Sequence, residues 1–230
     1  MKKIAIFISG AGSNAHRMMT YFAGHHKIKV ACLISSKENV QISAKCKEYQ
    51  VRYYDFGWNE QDKEHILGVL EANGIDWIIL AGFLKKIPES MIRAYSNKII
   101  NLHPSLLPKY GGKGMYGMHV HRAVIEGKEK ESGITIHYVN EEYDKGKIIQ
   151  QFKTPIQLSD DADSLFEKIR QLETNHFTQA VENEILNPSL RHSDWGYPQN
   201  TNNLRRIRTG VLVQLELHWV LSSLQRYQLQ

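Results

Sequence analysis

The chain has 230 residues, 42% of them hydrophobic and 23% charged, the balance of a soluble globular protein with room for one large domain and an appendage, and it excludes a fibrous or disordered chain. The formal net charge of +5 is too small an excess to name nucleic acid as the partner, and part of it is local, in Arg205, Arg206 and Arg208. Two cysteines, Cys32 and Cys46, are too few for a disulfide framework, the apolar run Ile4 to Ile8 is too short for a signal peptide, and no stretch reaches the ~20 apolar residues of a membrane span, so a cytoplasmic protein is expected.

Lys3 to Ile8 reads as a continuous apolar strand, followed by the turn SGAGSN and a helix from Asn14 to Ala23. KIKVACLIS (27–35) predicts a second buried strand, 40–50 a helix, and VRYYDF a short strand. A helix over 59–73 keeps Ile66, Leu67 and Leu70 on one stripe, and DWIILAGF supplies another buried strand. Continuously apolar strands alternating with helices predict an α/β domain with a mostly parallel, Rossmann-like sheet covered on both faces. After a short strand at 97–102, a loop rich in Gly and Pro runs to about residue 118, longer than a bare connector. A helix over 119–127 follows, then GITIHYV and KIIQQF, whose short separation predicts an antiparallel hairpin. Asp160 or Asp161 caps a long last helix, which Asn187-Pro188 stops. Residues 1–187 are therefore expected to form one domain and 188–230 a C-terminal extension, in which VLVQLELHWVL fits a strand or a helix.

The turn after the first strand matches G-x-G-x-x-[GA] at Gly10, Gly12 and Ala15, in the strand–turn–helix context that aims backbone N–H groups at an anion. A dinucleotide site also wants a carboxylate at the tip of the second strand, for the ribose. Ser35-Ser36-Lys37 stands there instead, which favours a phosphate monoester; the competing reading is that the glycines only permit a tight turn.

The stretch NLHPSLLPKYGG (101–112) is the chemical centre. Alternation sends Asn101 and His103 to one side of a strand end, where open parallel sheets form their ligand crevice, and an amide and an imidazole are suitable donors for an oxyanion at an acyl carbon. Pro104 and Pro108 stiffen the segment. Asp144, in a turn with Gly146, is placed to orient the imidazole and to move protons. Ser105 lacks the G-x-S-x-G context of an activated nucleophile, so direct attack by a substrate amine is favoured over a covalent enzyme intermediate. The pair His119 and His121 raises the alternative of a metal, but no third ligand is evident.

These residues resemble the phosphoribosylglycinamide formyltransferases, folate-dependent enzymes of purine biosynthesis. The resemblance covers residues 3–187 and rests on IAIFISGAGSN, DWIILAGFLKKIP, KIINLHPSLLPKYGGKGMYGMHVH and GITIHYVNEEYDKGKIIQQ. It implies that Asn101, His103 and Asp144 are the catalytic trio, that Ala11, Gly12, Ser13 and Asn14 hold the phosphate of glycinamide ribonucleotide, and that Glu173 contacts its ribose hydroxyls, although alone Glu173 reads as a solvated helix residue. It further implies that Phe83, Leu84, Lys85, Ile87 and Ile92, with Asn140 and Glu141, line the pocket for the co-substrate 10-formyltetrahydrofolate; without the resemblance the apolar ones among them read as core. Lys85 stands where an arginine is common, keeping the charge but losing the bidentate fork. The partners implied are small molecules, without metal or membrane, and a homo-oligomer is left open. The nearest rivals are methionyl-tRNA formyltransferase, which carries a larger C-terminal domain, and formyltetrahydrofolate deformylase, which carries an N-terminal one. A nucleic-acid binder using the C-terminal arginines is a more distant alternative, with no recognised module to support it.

Overall fold

The computed structural model describes residues 1–187, so the extension expected at 188–230 lies outside the described residues. The elements follow as β1 (Lys2–Ile8), α1 (Ser13–Phe22), β2 (Ile28–Ser35), α2 (Val40–Glu48), β3 (Arg52–Asp55), α3 (Glu60–Ala72), β4 (Trp77–Leu80), α4 (Glu89–Ala94), β5 (Ile99–His103), α5 (Met118–Glu126), β6 (Glu131–Tyr138), β7 (Ile148–Pro155) and α6 (Ala162–Leu186). The seven strands make one sheet in the order β3-β2-β1-β4-β5-β6-β7. The first five are mutually parallel, and β6 and β7 close the sheet antiparallel.

Burial explains which strands are apolar throughout. Ile4 to Ile8 of β1 and all of β4 are buried, because helices cover both faces of the parallel region. One cluster gathers Ala5, Phe7, Cys32, Ile34, Ile78 and Leu80 against Ile66 and Leu70 of α3 and Met91 and Ile92 of α4. Alternation turns Ile4, Ile6 and Ile8 to the opposite face, where Ile8 and Ile42 of α2 meet beside the glycine turn. There α1 packs on α2 and α6, and α6 on α5, β6 and β7. β7 alternates between exposed and half-buried residues, as an edge strand does.

Cys32 and Cys46 are free and buried, and Cys46 Sγ lies 3.8 Å from Met19 Sδ, joining α2 to α1. Of the two candidate caps for the last helix, Asp161 is the one: it accepts from Ser164 N at 2.8 Å and its own N–H reaches Ser164 Oγ, a reciprocal box. Asp160 instead pairs with Lys168. α4 is the element that the hydrophobic period does not announce, since six residues after Pro88 are too few to display a stripe. Among the described residues no helix is long and apolar enough to cross a membrane.

Candidate active site

The order β1-β4-β5 places three parallel strand ends side by side, and the candidate residues gather there. On β5, Asn101 and His103 share a face, and the antiparallel register sets His137 of β6 opposite Asn101 and Thr135 opposite His103. Asn101 Nδ2 lies 3.1 Å from His137 Nε2. The loop after β6 folds back so that Asp144 reaches both rings: Oδ2 is 3.5 Å from His103 Nδ1, and Oδ1 is 3.6 Å from His137 Nε2. Asn101, His103 and Asp144, separate in sequence, thus meet, with His137 as a fourth member.

Hydrogen bonding assigns the protons. His103 Nε2 donates to the Tyr110 carbonyl at 2.8 Å, because a carbonyl can only accept. Nδ1 therefore faces the carboxylate and is the nitrogen that takes up the second proton when the ring becomes cationic. His137 Nδ1 likewise donates to the Tyr138 carbonyl at 2.8 Å, leaving Nε2 to accept from Asn101. One amide hydrogen of Asn101 is spent there, and among the described residues the other meets no acceptor. Burial lowers the His103 pKa from its ordinary value, and the Asp144 charge only partly restores it. Asp144 behaves oppositely. Burial pushes its carboxyl up, but the neighbouring His137 and His103 rings and the Gly112 N–H outweigh that and hold it below the usual carboxylate range.

The surrounding loops are built for this contact. Thr135 Oγ1 donates to Ser105 O and accepts from Leu107 N, and Gln151 reaches both Thr135 Oγ1 and Leu107 O, so β6 and β7 carry the proline-stiffened segment. Ser105 is fully buried and its hydroxyl donates to the Lys109 carbonyl, which suits a structural hydroxyl and not a nucleophile. Gly112 N donates to Asp144 Oδ2 at 2.8 Å. Gly146 is required by close approach, since a Cβ there would stand 1.7 Å from the Tyr138 carbonyl oxygen.

At the β1 end, Gly12 adopts φ +78°, and a Cβ there would meet Ile42 at 3.0 Å and Ile8 at 3.2 Å. The turn leads directly into α1 with no side-chain cap, which leaves the first N–H groups of the helix for an anion. Ala11 and Ser13 are exposed beside it. Across the site, Ser9 Oγ accepts from Leu84 N at 3.0 Å and from Ser36 Oγ at 2.8 Å, tying the ends of β1, β2 and β4 together. Glu173 of α6 is not the solvated residue that its helix position indicates. Its Oε2 accepts from Asn14 Nδ2 at 2.8 Å, and burial raises its pKa.

Phe83, Ile87 and Ile92 are buried members of the core cluster around Phe7 and Trp58, and Val139 packs against the same cluster. The core reading of these three is therefore correct as to where they lie, whereas Leu84 and Lys85 are exposed beside them and Asn140 and Glu141 are half-buried. His119 and His121 are not brought together: they sit two apart on α5, a helix, so His119 is exposed and His121 is buried against Phe166. Among the described residues no group of three or more His, Cys, Asp or Glu is placed to hold a metal ion. His137 is the residue that inspection of motifs overlooked. Its signal was the polar ring inside the apolar strand GITIHYV, where a buried histidine needs partners.

The comparison with known proteins agrees with this geometry. Residues 2–181 match the formyl transferase family. The chain is 32% identical over 211 residues to the chloroplastic phosphoribosylglycinamide formyltransferase of Arabidopsis thaliana, covering 88% of this chain and 72% of that one. It is 35% identical over 179 residues to the phosphoribosylglycinamide formyltransferase of Haemophilus influenzae, covering 75% and 82%. Among solved structures, the phosphoribosylglycinamide formyltransferase of Anaplasma phagocytophilum superposes with a TM-score of 0.73 at 29% identity, covering 81% of this chain and 87% of that one. That of Bacillus halodurans gives 0.72 at 28%, covering 84% and 100%. With the family matched over most of its length and the fold shared, the chain belongs to the formyl transferases.

Proposed function

We propose that the protein is a phosphoribosylglycinamide formyltransferase, moving the formyl group of 10-formyltetrahydrofolate to the amine of glycinamide ribonucleotide. The observation that carries the reading is the convergence of Asn101, His103, His137 and Asp144 at the strand end. The amine lone pair attacks the formyl carbon, and the carbonyl electrons move to oxygen. The free amide hydrogen of Asn101 and the positive charge of a protonated His103 stabilise that oxyanion. The proton lost by the attacking nitrogen passes to the folate nitrogen through Asp144. The bond from carbon to that nitrogen then breaks, giving formylglycinamide ribonucleotide and tetrahydrofolate. No covalent enzyme intermediate is needed, which suits the buried, structurally engaged Ser105.

The phosphate would sit on Ala11, Gly12, Ser13 and Asn14, and the ribose hydroxyls on Glu173. The folate would lie against the exposed edge of the apolar cluster, with Phe83, Ile87 and Ile92 as its floor, Leu84 and Lys85 on its rim, and Asn140 and Glu141 at the loop that carries Asp144. All the residues named for these roles lie within 1–187. Purified protein supplied with both substrates should release tetrahydrofolate, and the same protein given only 10-formyltetrahydrofolate and water should release little. Absence of turnover at saturating substrate would remove the assignment, and equal release without the ribonucleotide would replace it by hydrolysis.

A further inference from the structure

We propose that Arg17 is a positioning residue that sets ribose recognition, acting through Asn14 on Glu173; this rests on reading the glycine turn and Glu173 as the ribonucleotide site. Arg17 lies one helical turn beyond Asn14 on α1, so the two side chains share a face. Its Nη1 donates to Asn14 Oδ1 at 3.1 Å. A guanidinium has no acceptor, so Asn14 must turn its oxygen to Arg17 and its NH₂ away, toward Glu173 Oε2, which accepts at 2.8 Å. The orientation of the amide is therefore dictated from one end of the chain Arg17–Asn14–Glu173.

That orientation decides the state in which Glu173 is useful. With the NH₂ facing it, Glu173 is held as an acceptor, and among the described residues nothing donates to its other oxygen, Oε1. An ionised carboxylate so held can accept from the hydroxyls of a vicinal diol. A flipped Asn14 would set oxygen against oxygen and would be relieved only by protonating Glu173, turning an acceptor into a donor. The groups facing Glu173 are Asn14 and Arg17 from α1 and Arg170 from its own helix; burial raises its pKa and the hydrogen bond and both cations lower it. Arg17 contributes to this balance twice, by charge and by fixing the amide.

The test compares full-length wild type with Arg17→Met, which keeps the aliphatic stem, and Arg17→Lys, which keeps the charge. In wild type the KM for the ribonucleotide should rise as pH falls through the Glu173 titration. In Arg17→Met that rise should begin at higher pH, and the KM at neutral pH should increase roughly three- to tenfold with kcat within about twofold. Arg17→Lys should fall between the two. Independently of activity, the Glu173 carboxyl resonance of the ligand-free protein, assigned with Glu173→Gln, should titrate at higher pH in Arg17→Met. An unmoved Glu173 titration overturns the inference whether or not the protein turns over, as does a loss of kcat matched by a loss of thermal stability. A wild type that titrates as expected but ignores glycinamide ribonucleotide would bring down the substrate reading alone.

Discussion

The two ends of the site, at β1 and at β5, are built on opposite principles. At β1 the chain presents backbone: a left-handed glycine, an uncapped helix start and half-exposed side chains such as Asn14 and Arg17. At β5 it presents buried rings, with His103 4% exposed and His137 2% exposed, and a carboxylate between them. The difference suits the roles proposed for the two ends. Anion binding needs many weak N–H contacts that stay open to a ligand arriving with its hydration shell. Stabilising charge that appears only in a transition state needs fixed donors in a dry place, where each is worth more and no reorganisation is required.

The sharpest way to break this comparison is to remove one member from the buried end. His103→Ala and Asp144→Asn should each lower kcat about 10²- to 10³-fold with a small change in the ribonucleotide KM, whereas Asn14→Ala should raise that KM and spare kcat. Steady-state kinetics on the three variants decides. A His103 variant altered mainly in KM would show that the buried end binds and does not stabilise the oxyanion.

Acid should find the buried end first. His121, 1% exposed and with no partner for Nδ1 among the described residues, is held neutral, its pKa lowered to about 4 by burial and by the His103 charge. The unfolded chain binds that proton near the ordinary value of 6.5, so stability falls as pH drops from 6.5 toward 4, by about 3 kcal/mol in all. Asp144 acts in a separate, lower window. Its carboxyl is depressed in the fold, so its contribution is present above the ordinary 3.8 and is lost as pH falls through the folded value. Urea unfolding at pH 7.0, 5.5 and 4.5 should show the first loss, and His121→Phe should reduce it, leaving the part that His103, also lowered by burial, contributes. A slope undiminished by this substitution would assign the acid sensitivity to other groups, His103 first among them.

These ends also differ in how openly the sequence declares them. The parallel strands are legible because burial on both faces forces unbroken apolar runs such as Ile4–Ile8, and the glycine turn because φ +78° leaves a trace in residue type. Asn101 and His103 are legible from strand alternation. What stays hidden depends on registers and on backbone: His137 faces Asn101 only through the antiparallel pairing, the proton on His103 Nε2 is fixed by a carbonyl that any residue at position 110 would supply, and Glu173 is half-buried because α6 packs on α1. At His119 and His121 nearness in sequence does not become nearness of the two rings, because residues two apart on a helix turn to different sides.

The smallest effect should come from Asn39, whose side chain reaches the glycine turn at the β1 end. Its Oδ1 caps α2 by accepting from Ile42 N at 3.1 Å, and its Nδ2 donates to the Gly10 carbonyl at 3.0 Å. One side chain thus starts a helix and tethers the glycine turn, and two substitutions separate the roles. Asn39→Ala loses both and should cost about 1 kcal/mol of stability, with a two- to threefold rise in the ribonucleotide KM. Asn39→Asp keeps a good cap but sets a carboxylate against the Gly10 carbonyl, so stability should stay within about 0.5 kcal/mol while the KM rises at least as much. In both variants kcat should be unchanged, because the buried rings lie across β4 from the change. If the KM stays constant in both, the turn is held by its own backbone, through Gly12 and the His16 N–H that bonds its carbonyl at 2.8 Å, and the exposed end is stiffer than its side chains indicate.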